Sequence, residues 1–195
     1  MNELLQEKLI KMRAKDERVR EELAATGELF DGYAAKMETV HLENAAELER
    51  MIDENDSWLG KSLVGDDGAE AAWLVVQHAI SLPEFFRKCL RLIEKAVSEN
   101  EAEPYQAAYL HDRICFFENR PQRYGTSSDW NDAGAMEVWT LEDKERVNDF
   151  RAEVGLQPLE SLTWQNEETG ENKPKDYAGR KAAFEAWARK FGWRE

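Results

Sequence analysis

The stretch AEAAWLVVQHAI (residues 69–80) decides the predicted fold, because its apolar residues occupy almost every face of a helix. A helix with this pattern is buried among other elements, whereas a surface helix carries one apolar stripe. Asp67 and Glu70 have the spacing of a capping box, in which a carboxylate accepts a hydrogen bond from an otherwise unpaired backbone amide. The sequence therefore predicts a central buried helix that begins near Asp67.

Single apolar stripes on both sides of this segment predict the helices that surround it. Pro83 and Pro104 are each placed in the first turn of a helix, where a missing amide hydrogen is tolerated. Residues 57–68 are predicted to be a glycine-rich turn, and residues 126–141 an irregular loop with a short extended piece at 136–139. The predicted helices cover residues 3–24, 34–52, 69–80, 83–97, 104–119, 141–155 and 180–193.

Alternating strand patterns are scarce, so the predicted fold class is all-α: a compact bundle of about six or seven helices with one long irregular loop. Residues 1–160 are predicted to form a single helical domain, which begins with an amphipathic helix and turn at 1–33. Residues 161–195 are predicted to be a linker, which includes the polar stretch 166–179, followed by an amphipathic helix.

The composition narrows the class of partner. The chain has 195 residues, of which 42% are hydrophobic, and a net charge of −14. Such a charge argues against binding to nucleic acid or to an anionic membrane surface, and is compatible with a basic protein partner. The charged N-terminus and the lack of a long apolar run predict a cytoplasmic protein. Cys89 and Cys115 are predicted to be small core residues rather than a disulfide or metal ligands.

Polar residues stand where the helical periodicity demands apolar ones. Asp112 lies within the stripe of the helix that begins at Pro104, and Arg113 follows it. Gln77 and His78 lie on the nearly all-apolar central helix. An isolated buried carboxylate is strongly disfavoured, so Asp112 is expected to be paired, hydrogen-bonded or protonated. Asp112 is explained by a buried ion pair with an arginine and His78 by a bond to a backbone carbonyl, or else the four residues line a polar pocket. Together with the loop that follows Asn119, they favour the pocket.

That loop is NRPQRYGTSSDW (residues 119–130), which combines several kinds of hydrogen-bonding group. Arg123, with Arg113 and Arg120, is predicted to hold a carboxylate or phosphate, because the guanidinium fork matches both. Gln122 and Tyr124 are predicted to orient a neutral polar group, and Gly125 to let the backbone approach the ligand. His78 is assigned proton transfer, with Asp112 as the carboxylate that orients it.

No metal site is predicted. The adjacent pair His111 and Asp112 is similar to that of HD-type phosphohydrolases, and His41 and His78 are the remaining histidines that could complete a set. Adjacent helical residues point about 100° apart, however, and no spaced histidine motif is present. His41, His78 and Asp112 therefore stay weak metal candidates, and the sequence identifies no cofactor.

The blocks S-x-V-G, A-W-x-x-x-Q-H, Y-L-x-D-R and P-Q-x-Y-G-T resemble those of an uncharacterised bacterial family that carries only a domain-of-unknown-function label. The resemblance covers most of residues 34–160, and it implies that the polar set forms a shared site. Asn119 departs from the glycine that the family pattern favours. The matching positions are Ser62, Val64, Gly65, Ala72, Trp73, Gln77, His78, Tyr109, Leu110, Asp112, Arg113, Pro121, Gln122, Tyr124, Gly125 and Thr126.

Two functions remain open from the sequence. The first is a helical domain whose buried polar pocket binds or acts on a small polar or anionic molecule, with catalysis itself undecided. The second is an acidic interaction module, such as an immunity-like or antitoxin-like inhibitor of a basic partner, in which the polar set only stabilises the fold. The oligomeric state is not determined by the sequence.

Overall fold

The computed structural model describes residues 1–30, 32–131, 134–161 and 176–195, in which seven α-helices and a two-stranded sheet form. The mostly helical prediction is therefore confirmed. None of these helices is long and apolar enough to cross a membrane. The helices are α1 (Glu3–Thr26), α2 (Ala35–Asn55), α3 (Lys61–His78), α4 (Pro83–Ser98), α5 (Pro104–Phe117), α6 (Val147–Glu153) and α7 (Tyr177–Lys190), and the strands are β1 (Ser128–Trp130) and β2 (Met136–Val138).

The chain divides into two compact units, Met1–Ala102 and Glu103–Glu195. In the first unit α1, α2 and α3 contact one another, and α4 packs on α3. The apolar stripe of α1 is buried from Leu9 to Leu23 as the periodicity predicts, whereas Leu4, which the same spacing places in the stripe, is 73% exposed. The inner faces of the other three helices are buried. Fully buried side chains of this core include Leu9, Leu48, Met51, Val64, Val76, Phe86 and Ile93.

The approach of α1 to α3 is close at the N-terminal end of both helices. The backbone amide of Asn2 donates to the carbonyl oxygen of Leu63 at 2.6 Å. A Cβ atom at Gly65 would lie 2.8 Å from Nε2 of Gln6 on α1, and Gly65 has a φ of 69°. Only glycine adopts that backbone conformation without strain.

The predicted turn at residues 57–68 is wrong in part, because one helical turn begins at Lys61. The backbone of Gly65 is not helical, so α3 is kinked there, and its long continuous part follows Gly65, close to the start predicted near Asp67. Val64, the last residue of that first turn, is fully buried. The turn is therefore stabilised by tertiary packing, which overrides the low helix propensity of the surrounding glycines.

The second unit contains α5, the β1–β2 hairpin, α6 and α7. The strands pair antiparallel with Ser128 opposite Val138, which confirms the extended piece predicted at 136–139. Aromatic side chains of the C-terminal segment pack on α5, with ring centroids of Phe117 and Trp193 4.9 Å apart and those of Phe116 and Phe184 5.3 Å apart. The greater part of the predicted linker, residues 166–175, lies outside the described residues.

Candidate functional site

Three helices of the first unit each contribute one polar side chain to a common point. Asp16 comes from the middle of α1, His41 from the first half of α2, and His78 is the last residue of α3. Oδ2 of Asp16 lies 2.9 Å from Nδ1 of His78 and 3.1 Å from Nε2 of His41. The two imidazole rings are 5.0 Å apart between centroids. The mutual packing of α1, α2 and α3 therefore assembles this cluster.

Asp16 is the electrostatic centre of the cluster, since only 2% of its surface is exposed. Burial acts to raise its pKa, but the contacts with His41 and His78 outweigh burial and hold the pKa below the ordinary value. The carboxylate is therefore charged at neutral pH. Its second oxygen, Oδ1, is buried and has no hydrogen-bond partner among the described residues.

His41 is held from its other side by Tyr33. The Tyr33 hydroxyl lies 2.7 Å from Nδ1 of His41, and the two rings stack with centroids 5.7 Å apart. A hydroxyl can donate to an imidazole nitrogen or accept from one, so Tyr33 is compatible with either tautomer. Nε2 of His41 is buried and, although close to Asp16, makes no well-aligned hydrogen bond in the described part of the chain.

The register of α1 against α2 is set by a buried amide. Asn44, three residues after His41 on α2, donates from Nδ2 to the carbonyl oxygen of Met12 at 3.1 Å. Met12 lies one helical turn before Asp16 on α1. This bond places the two helices so that Asp16 and His41 meet.

Access to the cluster is through His78. Its side chain is 21% exposed, whereas that of His41 is 7% exposed. Because His78 ends α3, the chain turns away after it and leaves the ring partly open to solvent. A molecule from solvent would meet this imidazole before the other two side chains.

Asp112 in the second unit has a different environment, in which both carboxylate oxygens are saturated. Its oxygens accept hydrogen bonds from the backbone amides of Arg123, Tyr124 and Thr126 at 2.9 to 3.2 Å, and from the Thr126 hydroxyl at 3.1 Å. Asp112 is fully buried. Of the three states expected for this carboxylate, paired, hydrogen-bonded or protonated, the structure shows hydrogen bonds, and most of their donors are backbone amides of the loop.

The other predicted residues of the loop are also used in its construction. The buried amide of Gln122 donates to the carbonyls of Ser127 and Trp139 and accepts from the Ser127 amide. The Arg123 guanidinium stacks on the Phe150 ring at 4.4 Å. A Cβ at Gly125 would lie 3.1 Å from the Leu159 side chain, so that glycine permits close packing within the unit.

Tyr124 and Arg113 contact aromatic rings in the second unit. The Tyr124 ring meets that of His111 edge-on at 5.9 Å, and its carbonyl accepts from the buried Arg151 at 2.7 Å. The Arg113 guanidinium lies 5.9 Å from the centre of the Phe117 ring. These contacts give each residue a structural role, and their predicted ligand-binding role stays a prediction.

The predicted site residues thus fall into both units. Gln77 and His78 belong to the first unit, and the remainder belong to the second. Gln77 is buried, and its Nε2 has no hydrogen-bond partner among the described residues. A single pocket made from both sets stays a prediction. Asp112 is predicted to orient the His78 ring, but the carboxylate that contacts Nδ1 of His78 in the structure is that of Asp16.

The adjacent pair His111 and Asp112 forms its own contact. Nδ1 of His111 lies 3.1 Å from Oδ1 of Asp112, and Sγ of Cys115 lies 3.9 Å from Nε2 of the same ring. The bond to Asp112, followed by that to Cys115, raises the pKa of His111 to about 10. Of the weak metal candidates, His41 and His78 lie together in a group that could hold a metal ion, and its third member is Asp16.

The comparisons with known proteins identify one family. A model described as a family of unknown function (DUF6624) matches residues 3–173. The chain belongs to this family. The DUF6624 match begins at the start of α1, so it reaches beyond the region of resemblance at residues 34–160 and includes Asp16. No curated protein and no solved structure matches the chain significantly.

Asp16 is the one residue of the cluster that the sequence did not predict, although a signal for it was present. The stripe of α1 runs through Leu9, Met12, Val19 and Leu23, and Asp16 occupies the position between Met12 and Val19. The same rule that singled out Asp112 on α5 therefore applies to α1. Asp16 was not recognised because α1 carries many exposed charged residues, among which this one carboxylate lies on the buried face.

Proposed function

We propose that the cluster of Asp16, His41 and His78 is the working site of a helical domain that binds or acts on a small polar or anionic molecule. The observation that supports this is the pairing of Asp16, whose one buried oxygen serves two histidines while the other has no partner among the described residues. A buried acceptor oxygen with no partner costs folding free energy relative to a bonded one. In native structures such an oxygen is commonly explained by a catalytic role, or by a water molecule or ion that binds there.

The contrast with Asp112 supports the same proposal. Asp112 shows how this chain satisfies a carboxylate whose task is structural, because three amides and a hydroxyl surround it. Asp16 lacks such saturation and is surrounded instead by side chains that can exchange protons. The two buried aspartates are therefore proposed to have different tasks.

His78 is the proposed proton-transfer group, because it is the most exposed member of the cluster and its Nδ1 is held by Asp16. A carboxylate on Nδ1 fixes the orientation of the ring and stabilises the imidazolium that forms when Nε2 accepts a proton. Nε2 is then the atom that exchanges a proton with the bound molecule. The reaction that this transfer would serve is left open.

A ligand screen tests the proposal. Thermal unfolding of the wild type and of His78→Gln is measured with phosphate, sulfate, short carboxylic acids and nucleotides. At a hundred times its Kd, a ligand stabilises the folded state by about 2.7 kcal/mol, which raises the Tm by several degrees. We expect such a rise for the wild type that His78→Gln lacks. If no compound raises the Tm, or if both proteins respond equally, the proposal fails.

His111→Gln is the matched control, because it removes the one histidine that lies outside the cluster. It is expected to keep the ligand response of the wild type. Arg113→Gln and Arg123→Gln, measured in the same screen, test whether either guanidinium of the second unit contributes to anion binding. A weaker response to anions alone would support that part of the proposal.

The net charge of −14 favours one second candidate, an acidic module that binds a basic protein in the cytoplasm. In that case binding would weaken steeply with salt and would not depend on the buried cluster. Copurification with the product of a neighbouring gene for a basic toxin or nuclease, unchanged in His78→Gln, would support it. Loss of copurification in His78→Gln would contradict it.

A further inference from the structure

We propose that Asp16, His41 and His78 together bind a divalent first-row transition-metal ion, with three protein ligands and with the remaining coordination positions open toward the exposed side of His78. This inference rests on the proposed function for the location of the site and adds its cofactor. With the ion bound, His78 would be a ligand, and proton transfer would pass from its ring to a molecule bound at the open positions. Two imidazoles and one carboxylate are the donor set that Zn²⁺ and Fe²⁺ take in sites that keep an open position.

The distances support this assignment. The ligand atoms of the three residues all lie within 4.8 Å of one another. The distances from Oδ2 of Asp16 to Nδ1 of His78 and to Nε2 of His41 are 2.9 and 3.1 Å. Metal bonds of about 2.1 Å place neighbouring ligands about 3.0 Å apart in an octahedral site and about 3.4 Å apart in a tetrahedral one. The two distances from Asp16 Oδ2 therefore match neighbouring ligands of an octahedral site. The two histidine nitrogens lie within 4.8 Å of each other, so side-chain adjustment would bring all three donors around one ion.

The atoms without partners are those that an ion would engage. Nε2 of His41 and Oδ1 of Asp16 are buried and have no well-aligned hydrogen bond among the described residues. Nε2 of His41 can supply a lone pair to a metal ion. Oδ1 of Asp16 can either complete a bidentate carboxylate or accept a hydrogen bond from a water molecule bound to the ion.

Tyr33 supplies the support that a metal-binding histidine usually has. A ligating imidazole generally donates its other N–H to an acceptor, which fixes the tautomer and orients the ring. The Tyr33 hydroxyl is 2.7 Å from Nδ1 of His41 and is placed to accept that hydrogen. Tyr33 is therefore a positioning residue for the proposed metal site and does not touch the ion.

The charge of the cluster also suits a cation. A carboxylate that stays ionised while buried is stabilised by a positive partner. In the described structure the partners of Asp16 are two imidazoles, each of which carries a full charge only when protonated. A divalent ion would supply that charge while both rings are neutral. An ion with an open position would polarise a bound oxygen of the small molecule or of water.

Titration calorimetry with Zn²⁺ tests the inference on the full chain after treatment with a chelator. We expect one Zn²⁺ per chain for the wild type. Tyr33→Phe is expected to bind about 10-fold more weakly, because it loses only the support of a ligand. His78→Gln loses a ligand itself and is expected to bind more weakly still. His111→Gln is expected to bind as the wild type does.

Co²⁺ gives a second readout that does not depend on activity. The ion bound by two imidazoles and a carboxylate should show visible absorption bands that His78→Gln lacks and His111→Gln keeps. Asp16→Asn and His41→Gln alter buried residues, so circular dichroism must first show that they are folded. His78 is partly exposed, which makes His78→Gln the deciding variant if the other two unfold.

The inference is overturned if the wild type binds neither ion, or if His78→Gln binds as tightly as the wild type, or if only His111→Gln loses binding. The outcome is separable from that of the ligand screen. Zn²⁺ binding without any ligand response supports the metal site and contradicts the proposed function. A ligand response in chelator-treated protein that binds neither ion supports the function and contradicts the metal site.

Discussion

Oδ2 of Asp16 on α1 lies 2.9 Å from Nδ1 of His78, the last residue of α3. This bond joins two residues that are 62 positions apart in the chain. It connects the first helix of the unit to the central buried helix, so the charge of Asp16 contributes to the stability of the folded state.

Asp16→Asn is therefore expected to lower the free energy of unfolding at pH 7 by about 2 kcal/mol, the size of a hydrogen bond to a charged group. The pKa of Asp16 is below its ordinary value of 3.8, so the stabilisation is present above that pH and is lost as the pH falls through the folded-state pKa. Urea unfolding at pH 7 and at pH 3 checks this. The free energies of unfolding of the wild type and of Asp16→Asn should differ less at pH 3 than at pH 7. Glu17→Gln, which alters the exposed neighbour, should show little difference at either pH. A difference that widens toward acid would contradict the assignment.

Asp112→Asn is expected to cost more, about 3 kcal/mol or above. The amide group of asparagine would direct N–H hydrogens at the backbone amides of Tyr124 and Thr126, so donors would face donors. Thr126→Val removes the hydroxyl bond alone and should cost about 1 kcal/mol. Urea unfolding of both variants provides the measurement. A loss for Asp112→Asn no larger than that for Thr126→Val would show that the loop does not depend on the carboxylate.

His111 should make the stability of the second unit depend on alkaline pH. Its bond to Asp112 raises its pKa to about 10, so the stabilisation is complete below about 6.5, the value in the unfolded chain, and is lost as the pH rises through about 10. Because the side chain is 34% exposed, solvent screening limits the effect to about 1 kcal/mol. The wild type should lose more stability than His111→Gln between pH 7 and pH 10. Parallel losses in the two proteins would contradict this prediction.

Gly65→Ala should destabilise the first unit by about 2 kcal/mol or more. An alanine there would adopt a φ of 69° and would bring its Cβ within 2.8 Å of the Gln6 side chain on α1. Gly27→Ala is the milder case for comparison. Gly27 has a left-handed helical backbone (φ 80°, ψ −8°), whereas Gly65 (φ 69°, ψ 170°) lies in a region that essentially only glycine occupies. A Cβ added at Gly27 would meet no atom of the described residues within 4 Å. Its loss should be about 1 kcal/mol, the strain alone. Equal losses in denaturant unfolding would mean that neither the backbone conformation of Gly65 nor its approach to α1 adds to the cost.

The helices of this protein follow from local signals in its sequence. The apolar stripe of α1, the prolines that begin α4 and α5, and the near-continuous apolar run of α3 were each sufficient for the prediction. The turn predicted at 57–68 failed because Val64 is buried by tertiary packing, which local propensity does not contain.

The polar residues of the site were predicted less completely, because the residues that meet there are far apart in the sequence. His78 and Asp112 were recognised because each interrupts an apolar helix face, and Asp16 meets the same test on α1. Recognition of a buried polar residue does not identify its partner, since nothing local distinguishes Asp16 from Asp112 as the carboxylate for His78.

The sequence by itself determined that the protein is helical, where most of the helices lie, and that some polar residues must be buried and satisfied, because periodicity and capping act within a few residues. Only the tertiary structure decided that Asp16 meets His41 and His78 while Asp112 holds the loop at Arg123, Tyr124 and Thr126. Those pairings depend on how α1, α2 and α3 pack and on where the loop folds back, and such contacts between distant residues are set by the complete core.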